Sequence, residues 1–213
     1  MAENYKIGAT DLATVLTHIT TISGDIAVPA LGQNDYAVPG RTGAIATPPW
    51  FGPRTITIGG VVTGATRATY QTNLRALMKL IHNNGQTFTL TRTLDSAPTT
   101  TLATARYAGG LEEVNQISNR AGRVAFDLRL MDGFWYDAAY TAGTAITGTA
   151  VLNVGGDAPT QDIQVTWSIG AGTQRLRNNA FPGLGRLTLV PGNNTLVLTG
   201  GGTATVSYKA AWL

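Results

Sequence analysis

Between residues 123 and 130 every second side chain is apolar: Val124, Phe126, Leu128 and Leu130 alternate with Arg123, Ala125, Asp127 and Arg129. A period of two puts one set on each face of an extended chain, so this segment is a strand with one face on a core and the other in water. The turn-like pair Asp132-Gly133 and three consecutive aromatics, Phe134, Trp135 and Tyr136, follow directly. After Asp137 the composition changes, and acids become rare. The stretch therefore reads as the last strand of one domain, residues 1–137, with an aromatic hinge into a second domain, residues 138–213.

The same short-period pattern recurs along the chain. The 26 glycines and abundant threonines punctuate many short alternating segments, which indicates a mainly β protein. Strands are expected at residues 5–7, 12–22, 54–62, 87–94, 99–107 and 111–117, with residues 12–16 alone also compatible with a helical turn. Gly59-Gly60 lies mid-strand and suggests a bulge. One amphipathic helix is expected over residues 66–83. Thr66 can cap it, and Tyr70, Leu74, Leu77, Met78 and Ile81 form an apolar stripe. Asn83-Asn84-Gly85 closes it. In the second domain strands are expected at 145–154, 162–169, 174–176, 186–190, 195–199 and 203–212. The glycine- and proline-rich turns between them argue a second β-sandwich without a helix.

Residues 27–53 break the pattern. Pro29, Gly32, Pro39, Gly40, Gly43, Pro48, Pro49, Gly52 and Pro53 leave no room for a regular element of length. Leu31, Tyr36, Val38, Ile45, Trp50 and Phe51 are nevertheless apolar and need a surface to cover. A long loop with its own anchors either packs on a neighbouring subunit or wraps its own domain.

Chemistry is scarce. The chain has no cysteine, which removes disulfides and thiolate metal sites. His18 and His82 share no spacing with an acid or nucleophile and read as structural. Glu112 and Glu113 are neighbours on a strand and point to opposite faces, poor geometry for a carboxylate pair. Asp127 and Asp132 lack a third oxygen-rich segment to complete a metal site. Gly155-Gly156-Asp157 is a turn rather than a phosphate loop, because no Lys-Ser/Thr and no helix follow. Asn193-Asn194-Thr195 matches a glycosylation acceptor by chance. The chain is expected to be neither an enzyme nor a holder of cofactor or metal. Its net charge of +3 comes with only 13% charged residues, so the basic pI reflects few acids rather than a basic run. No apolar run approaches the roughly 18 residues that span a bilayer, and residues 1–8 lack the features of a signal peptide. Trp167 and Trp212 in the second domain are either sugar-stacking aromatics or core residues. Trp167 shares a face with Val165 and Ile169, which favours core.

The order GRTG (40–43), PPWFGPRTITIGGVV (48–62), LRALMKLIHNNG (74–85), FTLTRTL (88–94) and RVAFDLRLMDGFWYD (123–137) resembles the distal tail protein family of long-tailed siphophages. The aromatic exit Asp132 to Tyr136 belongs to that likeness. The second half, LNVGGDAPTQDIQVTW (152–167) and LVPGNNTLVLTGGGTATVSYKAAWL (189–213), resembles the family's galectin-like or carbohydrate-module-like sandwich. The Asn153, Gly155, Pro159 turn and the closing Pro191 to Leu196 carry that part.

The resemblance implies a tail-tube-like first domain that builds a homo-oligomeric ring of six at the tail tip. It further implies that the ring joins the tail tube protein to the baseplate hub or tail fibre protein. The second domain would project outward, toward receptor-binding proteins or host glycans. The tape measure is a further partner, and DNA is involved only as passing cargo. The protein would sit in the virion after assembly in the host cytoplasm, without membrane insertion. On this picture Tyr36, Arg41, Trp50, Phe51 and Arg54 are candidate inter-subunit arm contacts. Phe134, Trp135 and Tyr136 are candidates for the interdomain seam, and Trp167 and Trp212 for glycan contact. The alternative is a stand-alone carbohydrate-binding or lectin-like protein.

Overall fold

A computed structural model of the chain describes residues 4–32, 36–37, 44–45, 50–82, 85–95, 100–111, 115–168, 175–179 and 187–213. It divides into two compact units, Met1–Phe134 and Trp135–Leu213.

The first unit opens with β1 (Asn4–Ile7) and β2 (Thr10–Asp11), then β3 (His18–Ser23). Within residues 12–22, Leu12–Thr14 form a 3-10 turn, the alternative open at residues 12–16, and the strand begins only at His18. The cause is local. Asp11 accepts a hydrogen bond from the Ala13 backbone N–H at 2.9 Å, so a capping acid outcompetes the β-branched run behind it. Four two-residue strands follow, β4 (Leu31–Gly32), β5 (Tyr36–Ala37), β6 (Ala44–Ile45) and β7 (Trp50–Phe51). Next come β8 (Arg54–Thr63) and the helix α1 (Arg67–His82), then β9 (Phe88–Thr93), β10 (Thr100–Gly109), β11 (Asn115–Ser118) and β12 (Ala121–Leu130). The main sheet runs β2-β1-β9-β10-β12-β8-β3, antiparallel in each described pairing, with β11 added to β12.

The alternation in β12 is realised residue by residue. Val124, Phe126, Leu128 and Leu130 are buried, and Arg123 and Arg129 are exposed. α1 packs on β8, burying Tyr70, Leu77 and Ile81, while Met78 from the same stripe stays exposed. Thr66 caps the helix, accepting from the Thr69 backbone N–H at 3.1 Å. The irregularity suggested by Gly59-Gly60 falls on the strand beside them. β8 pairs with β12 without a shift, and the register slips in β3 between Ile19 and Thr21. Gly60 permits the close approach. A Cβ there would stand 2.8 Å from the His18 carbonyl oxygen and 3.1 Å from Leu16.

The second unit begins with β13 (Trp135–Asp137) and contains β14 (Thr144–Ile146), β15 (Thr149–Val154), β16 (Ile163–Ser168), β17 (Arg175–Asn178), β18 (Gly192–Thr199), β19 (Thr203–Tyr208) and β20 (Ala211–Trp212). Two three-stranded sheets, β14-β19-β16 and β15-β18-β17, share a core of Ile146, Leu152, Leu196, Leu198, Val206 and Tyr208. The expected single strand over 145–154 is two strands in different sheets. The chain crosses between them at Thr147-Gly148, where Gly148 has φ +145° and its carbonyl accepts from the Leu198 N–H at 2.7 Å. β13 pairs with β20, Trp135 opposite Trp212, so the division falls at 134/135 rather than after Asp137.

Turns in this unit are fastened by buried polar side chains. The Asn194 carboxamide donates to the Val190 and Gly192 carbonyls at 2.7 and 3.0 Å, and accepts from the Val190 N–H at 2.9 Å and from Asn178 Nδ2 at 2.8 Å. The Tyr208 hydroxyl donates to the Asn153 carbonyl at 3.1 Å and accepts from the Gly155 N–H at 3.3 Å. Asn153, Gly155 and Asn194, which carry the family resemblance in this half, are thus turn-forming residues.

Candidate assembly surface

The described residues of the segment without room for a long element form two nested antiparallel two-residue ladders. Leu31 pairs with Phe51 and Gly32 with Trp50; further out, Tyr36 pairs with Ile45 and Ala37 with Ala44. Prolines and glycines shorten each ladder without preventing the pairing.

The root of this arm is clamped on several sides. Asp25 is buried and forms an ion pair with Arg92 Nη1 on β9 at 2.9 Å, and Arg92 Nε donates to Thr101 Oγ1 at 3.2 Å. Arg54, only 6% exposed, donates from Nη1 to the Ala27 carbonyl. The Gly52 N–H donates to the Ala30 carbonyl at 2.7 Å. Phe51 meets Phe134 edge to face, with ring centroids 5.0 Å apart. Gly133 lies against the same root at φ +75°, where a Cβ would fall 2.5 Å from the Gly52 carbonyl oxygen.

On this fixed root, large apolar side chains face water. Ile26 is 79% exposed, Val28 67%, Leu31 57% and Phe51 38%. Three such residues between positions 26 and 31, joined by Phe51 through its pairing with Leu31, are not the scattered single apolar residues of an ordinary surface. They lack a covering surface among the described residues.

The candidate residues distribute as follows. Phe51 lies at the exposed root. Tyr36 and Trp50 sit in the two ladders. Arg41 lies outside the described residues. Arg54 lies inside its own domain, holding the root rather than reaching across from it. Ile26 and Val28 escape a reading of the sequence, because a two-residue alternation beside Pro29 looks like the start of a loop. The Asp25–Arg92 pair also escapes it, since 67 positions separate the partners.

Phe134 is buried as the last residue of the first unit, and Trp135 is buried in β13 of the second. Tyr136 is half-buried opposite Ala211. Trp212 is partly buried against the second core, and its Nε1 donates to Asp137 Oδ1 at 2.8 Å. Trp167 is 42% exposed although it shares the core-side face with Val165. It lies near the end of β16, an outer strand of its sheet, and the adjoining residues 169–174 lie outside the described residues. Glu112 and Glu113 also lie outside them. His18 is exposed on β3. His82 ends α1 with its ring 6.2 Å from that of Tyr107. Asp127 accepts from Thr57 Oγ1 across the strand at 2.6 Å. Among the described residues no group of three His, Cys, Asp or Glu is placed to hold a metal, and no helix is long and apolar enough to cross a membrane.

No family model and no curated protein sequence matches the chain. Solved structures do. The SPP1 Dit (gp 19.1) protein, described as a paradigm of the hub adsorption apparatus in phages that infect Gram-positive bacteria, superposes with a TM-score of 0.70. The match covers 100% of both chains at 13% identity. A chain of the phage p2 baseplate, in its activated conformation with Sr, gives a TM-score of 0.49 at 13% identity over 69% of this chain and 49% of that one. On the 0.70 superposition the chain shares the fold of the SPP1 Dit protein. It is mainly β, as the alternation in its sequence indicates, and the resemblance noted in its motifs coincides with this likeness.

Proposed function

We propose that the chain is a structural subunit of a phage tail tip, and that it assembles with copies of itself into a ring, six-membered as the family resemblance implies. The observation that carries the reading is the clamped arm root with Ile26, Val28, Leu31 and Phe51 held out in water. A rigid apolar surface of this kind is suited to a neighbouring subunit in a head-to-tail arrangement, the type of interface that closes into rings. The fold shared with a hub adsorption protein supports the same role. The ring would join the tail tube to the baseplate hub or fibre, with other tail-tip proteins as partners, and would place the protein in the virion. Its work would be mechanical, without catalysis.

A glycan-contacting second unit is the subordinate reading, and exposed Trp167 is the observation in its favour. Trp212 gives it little support, because its indole N–H is engaged by Asp137.

Native mass measurement of the purified chain, alone and with its tube partner, tests the ring. A defined oligomer is expected. Trp50→Ala with Phe51→Ala should shift the population toward monomer while leaving the thermal midpoint of the monomer within a few degrees. A wild-type chain that stays monomeric at micromolar concentration with its tube partner present would count against assembly.

A further inference from the structure

The second unit leaves one sheet edge bare. β16 is an outer strand of β14-β19-β16 and pairs with β19 over all six of its residues without a register shift. Hydrogen-bond parity fixes which backbone groups face outward. The Lys209 N–H donates to the Asp162 carbonyl at 3.0 Å, and in an antiparallel ladder such pairs alternate with pairs whose backbone groups turn away. Gln164 and Thr166 therefore face β19, while the N–H and C=O groups of Val165 and Trp167 point off the sheet. Among the described residues these groups meet no further strand. The side chains follow the same alternation. Ile163 and Val165 pack partly on the core, whereas Trp167, opposite buried Ala204 on that face, is 42% exposed. It stands where an apolar side chain of an added strand would cover it. The other edges of these two sheets are short, charged or occupied. β14 has three residues. β17 has four and exposes Arg175 and Arg177. On β15 the Asn153 carbonyl, outward by the same parity, accepts from the Tyr208 hydroxyl. Ile163–Ser168 has no charged residue, no proline and no bulge.

We propose that β16 accepts an added strand: an extended, uncharged segment of a different protein, apolar at alternate positions. The outward backbone groups of Val165 and Trp167 supply its hydrogen bonds, and the side chains of the same two residues select apolar neighbours, which is how sheet edges bind extended segments. Charge is excluded from the inward positions of that segment, because an unpaired charge beside Trp167 would lose its water without a compensating partner. A second copy of β16 would pair with the first about a two-fold axis, whereas the proposed ring is built from head-to-tail contacts. The choice of a different protein rests on that reading.

The probe is a capped, labelled peptide copying residues 202–208, GTATVSY, the sequence that the chain itself sets against β16. Antiparallel addition with its apolar residues beside Trp167 makes the N–H groups of Ala204 and Val206 the donors to β16. N-methylation at Thr205 and Ser207 keeps those donors and prevents the peptide from pairing with itself, whereas N-methylation at Ala204 and Val206 removes them. In fluorescence anisotropy with the full chain, the first peptide should bind saturably and the second about 25-fold more weakly, at about fivefold per lost hydrogen bond. This comparison uses the wild-type chain, so it does not depend on the folding of any variant. Val165→Pro, which removes one outward N–H, should weaken the first peptide, and Val151→Lys on the exposed face of β15 should not. Equal affinity of the two peptides would overturn the proposal, as would the absence of saturable binding by either, or an equal effect of Val151→Lys. A self-association of the chain that Val165→Pro abolishes and Trp50→Ala with Phe51→Ala does not would assign the edge to a second copy and overturn it as well. Native mass measurement of the same samples separates this proposal from the ring. A monomer that discriminates the two peptides sustains the edge and removes the ring, whereas an oligomer that does not discriminate them does the reverse.

Discussion

At the scale of single residues, the buried Asp25–Arg92 pair is the position where one substitution should matter most. Both side chains are almost inaccessible. Removing one partner leaves the other charge in a poorly solvated site, which costs about 3–5 kcal/mol, whereas replacing both with apolar groups is far less costly. Arg92→Leu alone should therefore lower unfolding stability by that amount in denaturant titration, and Asp25→Leu with Arg92→Leu should recover most of it. Equal loss in the single and double variants would mean that the pair acts through packing rather than charge. A second residue-scale effect lies at Tyr140, whose hydroxyl donates to Asp162 Oδ1 at 2.5 Å. That hydrogen bond, then burial and the nearby Asp162 charge, raise the phenol above its ordinary value of 10.0. The proton is thus held more tightly in the folded chain than in the unfolded one. The stabilisation is fully present below pH 10 and is lost as pH rises from there through the folded value. Difference absorbance between wild type and Tyr140→Phe should show this tyrosine ionising late, and Asp162→Asn should bring it back toward the ordinary range.

At the scale of elements, legibility followed the distance between the residues that decide each feature. The strand at β12 is written in adjacent side chains, and so is α1 with its Thr66 cap, because the alternation and the capping hydroxyl act within a few residues. Thr66→Ala should cost about 1 kcal/mol in denaturant titration, since the Thr69 N–H loses its acceptor. The β3 bulge was only half legible. Gly59-Gly60 marked the place, but the slip occurs on the neighbouring strand, and pairing is not visible in one segment. Gly60→Ala should cost about 1–3 kcal/mol through overpacking against the His18 carbonyl and Leu16. An unchanged midpoint for that variant would show that β3 can move away freely. The arm was legible as an exception and not as a structure. Among the described residues Leu31 meets Phe51 and Tyr36 meets Ile45 through ladders too short to leave a periodic signature. Arg54 shows the same limit, because sequence adjacency placed it with the arm while burial places it in the clamp beneath.

At the scale of the whole molecule, the chain divides into two compact units at 134/135, near the composition change after Asp137. The strand that opens the second unit was not legible in the sequence, because Trp135 is fixed by Trp212, 77 positions later. The exposed root residues acquire meaning only at this scale. Burying an apolar side chain is worth about 1.5–3 kcal/mol, so covering Ile26, Val28, Leu31 and Phe51 at an interface of the proposed ring would be a substantial drive toward association. Anything that binds only the folded chain stabilises it by mass action, and under the proposed assembly a second copy of the chain would be such a ligand. The thermal midpoint of the wild type should therefore rise with protein concentration between 1 and about 100 times the dissociation constant, a range worth about 2–3 kcal/mol. Ile26→Ser with Val28→Ser removes apolar area from the root while leaving Asp25, Arg54 and Arg92 in place. Its midpoint should match that of the dilute wild type and stay flat with concentration in scanning fluorimetry. A wild-type midpoint that is flat over the same range would remove the arm root as an assembly surface. A variant that still rises as steeply as wild type would move the interface elsewhere on the molecule.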